Sequence, residues 1–304
     1  MKVVTPIKTT TANLTSSTIL EPDSGETEWT AGTYALGTIR IESSTHRKYQ
    51  VVADPNTTDR PSVGVLATPA TWVDIGATNR FAMFDDINST QSVDNQNLTV
   101  QITPDGLVSS VSGFNISGAS SITVTLTDPT EGLVYTRSID MVDNDAVADW
   151  YFYYFSEIIV TSRFILLDLP AYPQALLEVA ILGDAEIKIG TLVYGKQITL
   201  GVALYGTSYQ ALDFSIKERD AFGNFKIVKR NTSDLLDYDC YLPKDKFGYV
   251  KNQLKALTTV PTVWVGDEND INDGTAVFGY YKDSQINITG PQVIDMTIQV
   301  EGLI

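Results

Sequence analysis

The spacing of Gly and Pro constrains this chain more than any other feature. They recur roughly every ten residues, and between them lie short runs rich in Val, Ile, Thr, Tyr and Phe. Such runs are too short for helices and carry the β-branched and aromatic residues that suit a pleated surface. Clear examples are Leu98 to Thr103, Ser121 to Leu126, Trp150 to Val160, Ala175 to Leu182 and Glu186 to Val193. A mainly β fold follows, of the sandwich or barrel kind. One segment departs from it. In Pro243 to Leu257, Phe247, Val250, Leu254 and Leu257 recur at helical spacing, and Pro261 lies beyond the end.

Length and texture suggest three domains. Residues 1–77 are Thr-rich, 78–205 hold most of the strand-like runs, and 206–304 read strand, strand, helix, then three strands. The expected architecture is a small three-stranded N-terminal module, a central jelly-roll β-sandwich of the galactose-binding kind, and a C-terminal α+β domain with one helix on an antiparallel sheet. Hydrophobic residues make up 43% of the chain, enough for sizeable cores.

Charge narrows the function. The 21 basic residues face 37 acidic ones, a net charge of −16, which argues against a nucleic-acid reader. No run approaches the ~20 apolar residues of a membrane helix, so no membrane insertion is expected. Met1 to Thr18 reads as a Thr/Ser-rich start without an apolar signal region. A single cysteine, Cys240, excludes an internal disulfide, and with a single histidine, His46, it excludes the common Cys/His zinc sites. Any Ser-His-Asp arrangement would have to use His46, which reads as an ordinary strand residue. Cys240 reads as a buried small hydrophobe.

Residues 28–76 space their aromatics in a recognisable order: Trp29, then Tyr34 and Gly37, then Tyr49, then Trp72. This resembles the small carbohydrate-binding modules of bacterial chitinases. In a unit of about 50 residues, four large rings are needed to fill the core. The resemblance also makes Trp29, Tyr34, Tyr49 and Trp72 candidates for stacking on a host-surface glycan. The chitin-binding versions carry an aromatic pair after the second Tyr. Here Gln50-Val51-Val52 follows it, which favours the core role. Further on, Trp150 to Phe155 would alternate as a strand with aromatics on both faces, buried between layers or, as the sharper alternative, exposing Tyr151 and Tyr153 to a sugar.

The C-terminal segment carries Tyr209 to Arg219, the turn Asp220-Ala221-Phe222-Gly223-Asn224, Pro261 to Gly266, Val277 to Asp283 and Gln299 to Leu303. Together with Ala77 to Asp86 these are similar to a family of virion proteins of tailed bacteriophages. That resemblance implies a non-enzymatic structural part of the tail or baseplate, assembled in the host bacterial cytoplasm. It would be a ring-forming or docking adaptor that connects tail parts or anchors fibres, with copies of itself and other phage tail proteins as partners. Unpaired strand edges suit such assembly. Two rival functions stay open: a host-glycan adhesin on the virion, and a polysaccharide depolymerase, which would need two carboxylates ~5–9.5 Å apart. No cofactor is expected. The acidic run Asp267 to Gly274 offers Asp267, Asn269, Asp270 and Asp273 as weak ligands for Ca2+, but it lacks the closing Glu of an EF-hand and reads better as a solvated hairpin loop.

Overall fold

A computed structural model describes residues 1–143, 149–151, 159–219, 222–267, 274–288 and 290–303. The fold is mainly β, as expected. Fourteen strands join one continuous antiparallel system, organised around a single long strand, Leu176–Thr199. The sequence offers two separate runs here, because Gly183-Asp184 between them reads as a turn. Instead the chain bends. The first half of the strand lies between Ser121–Asp128 and Ser92–Ile102, and the second half pairs with Ser110–Ser117. The bend falls at a register shift after Leu182, where Gly183 meets Gly118 so closely that an added Cβ would lie 2.0 Å from the Gly118 carbonyl oxygen. A side chain at either glycine would push the two layers of the sandwich apart.

Period-two alternation fills the sandwich. Ile122, Val124 and Leu126 on one strand, and Leu177, Val179 and Ile181 on its neighbour, point into a single core with Leu98, Val100 and Ile102. In the C-terminal sheet Thr262–Val265 and the start of Ala276–Asn287 are buried on both faces and read as near-continuous apolar runs, whereas Thr232–Pro243 and Val293–Gly302 alternate. Val3, Trp264 and Val277 face the helix Phe247–Ala256 through its Val250 and Leu254. Val4, Val263, Val265 and Phe278 face Phe114 and Ile165 of the sandwich.

The N-terminal strand Lys2–Pro6 joins the two halves. One edge pairs with Gly195–Thr199 of the long strand and the other with Val263–Val265. Residues 14–17 pair with Val100–Ile102. Strand pairing therefore places Lys2–Pro6 and Leu14–Ser17, drawn with the module from sequence, in the large sheet, and the pairing of the small N-terminal unit starts at the bridge between Glu28 and Ile41. The short Val3-Val4 run carries no signal of which sheet will bury it, since its partners lie almost two hundred residues away.

The small unit has three strands, Ile39–Glu42, Arg47–Val51 and Trp72–Ala77, with a two-stranded annex at Tyr34–Ala35 and Asn56–Thr57. The expected helix is present as Phe247–Ala256 after a tight turn at Lys244–Lys246.

Candidate assembly surface

Tyr34, Tyr49 and Trp72 are buried and form the core of the small unit with Val51, and Trp29 packs against them half-buried. Tyr34 meets Trp72 edge-on at 5.7 Å. Their polar ends are satisfied: Tyr34 Oη donates to Thr30 O at 2.7 Å and Trp72 Nε1 donates to Asp59 O at 2.9 Å. A pyranose needs an open ring face. These three rings present none, and Trp29 keeps part of its ring exposed.

Trp150 and Tyr151 are 73% and 67% exposed and lie in a helical turn rather than in the strand expected from Trp150 to Val160; Ile159–Val160 is strand, and residues 152–158 lie outside the described residues. Aromatics on both faces of a short run fit helix and strand equally well. Tyr153 lies outside the described residues, as do Asn269, Asp270 and Asp273; Asp267 is exposed. Among the described residues no group of three or more His, Cys, Asp or Glu side chains is placed to hold a metal.

His46 departs from the strand position expected for it. It occupies a left-handed turn conformation (φ 55°) just before Arg47–Val51. Its ring stacks on Phe81 at 3.6 Å, Nδ1 lies 2.8 Å from Glu21 Oε2, and Nε2 lies 2.6 Å from Thr11 Oγ1. Thr78 Oγ1 donates to the other Glu21 oxygen at 2.6 Å. The imidazole thus ties the turn of the small unit to three segments of the body. Asn79 adds a second tie: its backbone N–H donates to Glu26, and its side chain pairs with both Val93 backbone groups. Beside these ties runs a cleft of about 530 Å³, lined in part by Lys8, His46, Phe84, Asp85 and Asp86. Burial pushes the Asp85 carboxyl up, against hydrogen bonds from Thr90 and the Ile87 backbone.

A different surface stands out for interaction. Ser208–Asp213 pairs with Thr232–Asp237 at the edge of the C-terminal sheet. Beyond it the same two chain segments continue as a hairpin, Ile216–Arg219 against Phe225–Val228, whose strands pair with each other in a sheet of their own. The sequence announces the hairpin through its turn, where Gly223 takes φ +86°. No core cluster includes this arm. Lys217, Glu218, Arg219 and all of residues 222–230 are exposed, among them Phe222 at 90%.

Register assigns the faces. Opposed residues share a face, so Lys217 with Ile227, and Arg219 with Phe225, make one face that is both cationic and apolar. The Arg219 guanidinium lies 4.5 Å from the centre of the Phe225 ring. Ile216 with Val228, and Glu218 with Lys226, make the other face. An isolated two-stranded ribbon of this kind is at best marginally stable in water, and this one carries apolar residues on both faces.

What sequence reasoning missed is the isolation of this arm. The alternating pattern Phe214, Ile216 and the run Phe225 to Val228 look like core strands. The signal available was the density of Lys and Arg around them. No protein-family model matches the chain, and no curated protein matches it.

Proposed function

We propose that the chain is a structural component of a bacteriophage tail or baseplate, without enzymatic activity, that acts by docking onto copies of itself and onto other tail proteins. The observation that carries this reading is the exposed arm at residues 216–228. Among the described residues its two outer strand edges pair with no other strand, and apolar side chains lie on both faces, the equipment of β-addition between subunits. The virion setting itself rests on the resemblance of the ordered C-terminal motifs to tailed-phage proteins. A supporting feature is the acidic remainder of the chain, which keeps free subunits apart and off DNA. Mass spectrometry of purified virions tests the setting: the chain should be present in several copies per particle, and its absence would refute it.

The adhesin reading keeps one foothold, the adjacent exposed rings of Trp150 and Tyr151. Glycan-array binding lost on Tyr151→Ala would move the assignment there.

A further inference from the structure

The distribution of charge identifies what the arm docks on. Residues 216–230 hold five Lys or Arg (Lys217, Arg219, Lys226, Lys229, Arg230) and two acids (Glu218, Asp220), a net charge of +3. The rest of the chain, with 16 basic and 35 acidic residues, carries −19. A cationic, apolar ribbon therefore projects from a strongly anionic body. We propose that the partner of the arm is the acidic body surface of a second copy of this chain, in a head-to-tail contact; this rests on the structural reading above and names the partner it left general.

Three considerations select that partner. The first is sign: the arm is attracted by an anionic surface, and each further copy presents one of −19. The second is geometry. The paired strands Ile216–Arg219 and Phe225–Val228 alone extend roughly 13 Å, at ~3.3 Å per residue, more than the ~8–10 Å over which physiological salt screens charge. The tip can therefore meet a neighbour while the two bodies stay beyond the range of their mutual repulsion. The third is chemistry. Phe222, Phe225 and Ile227 give the contact an apolar centre beside its cations, which suits a protein surface better than a phosphate backbone. A contact between arm and body uses two different patches, so repeating it closes a ring or extends a filament.

Isotope-labelled and unlabelled full-length chain, mixed and treated with a zero-length carbodiimide cross-linker at ~50 mM salt, test the proposal. The expected result is mixed-isotope cross-links from Lys217, Lys226 or Lys229 to Asp or Glu outside residues 216–230, lost at ~500 mM salt. Charge reversal (Lys217→Glu, Arg219→Glu, Lys226→Glu) should weaken association at least ~10-fold, with an unchanged circular dichroism spectrum. Should the reversed arm disturb folding, replacing residues 216–228 by Asn-Gly gives the same comparison without the arm. Undiminished association of either variant would overturn the proposal, as would mixed-isotope links that omit the arm lysines. Binding of the arm to DNA or anionic phosphatidylglycerol vesicles in preference to a second copy would also overturn it. Either failure leaves virion composition as the independent judge of the structural reading.

Discussion

Replacing Glu42 by Ala should open the small N-terminal unit while leaving the rest of the fold closed. Glu42 is 3% exposed, yet its carboxylate is ionised in the fold because donors surround it. Ser44 Oγ donates at 2.9 Å, Arg60 Nε at 2.7 Å, and the Ser62 backbone N–H and hydroxyl each at 3.1 Å. Arg60 is half-exposed and can turn to water, but the Ser62 N–H is left facing the void. Leaving that donor unpaired costs about 1–3 kcal/mol, a large part of the stability of a unit of about 50 residues. Amide hydrogen exchange read by peptide is the assay. Protection should collapse across residues 39–51 and 72–77 and persist in 92–102 and 176–199. A loss below about 1 kcal/mol in the small unit would refute the role assigned to Glu42. Equal loss in both regions would refute the independence of the unit.

The same carboxylate sets a pH dependence. Burial raises its affinity for a proton, but the hydrogen bonds from Ser44, Ser62 and Arg60 outweigh burial and hold it below its ordinary 4.5. A group held below its unfolded value stabilises the fold above that value and ceases to do so as pH falls through the lowered one. The small unit should therefore loosen first on acidification below about 4.5, and Glu42→Gln should flatten that limb.

Other consequences follow from burial and close approach. Trp264→Ala empties a fully buried indole that donates to Gly279 O at 3.1 Å, so denaturant unfolding should show a loss of about 3–5 kcal/mol. Gly195→Ala would set a Cβ 1.9 Å from Thr5 O, parting the N-terminal strand from the long strand, and calorimetry should record a loss of at least ~2 kcal/mol. Burial pushes the Cys240 thiol up to about 12, so Ellman's reagent should leave it unmodified until the chain is unfolded. His46→Ala removes the stacked ring on Phe81 and the bonds to Glu21 and Thr11, and should raise exchange at the face between small unit and body without lowering that of the sandwich core.

Local features of this fold are legible in the sequence and non-local ones are not. Phe247, Val250, Leu254 and Leu257 mark the helix because their spacing is a property of the segment alone. Trp29, Tyr34, Tyr49 and Trp72 mark the small unit for the same reason, and the ratio of ring volume to chain length already favours core over platform. The bend of the long strand was hidden because Gly183 is a turn signal unless Gly118 lies against it. The place of Val3 and Val4 was hidden because a strand buried on both faces shows no alternation. The arm was half visible: its turn and strands could be read, but not how exposed they are, since exposure depends on where the rest of the chain goes.

The account turns on whether this protein works by contact between copies. A cryo-electron microscopy map of purified tails measures that most directly. The expected result is repeated copies of the chain with residues 216–228 of each seated on the body of its neighbour. Tails without the chain, or copies whose arms stand free in solvent, would contradict it.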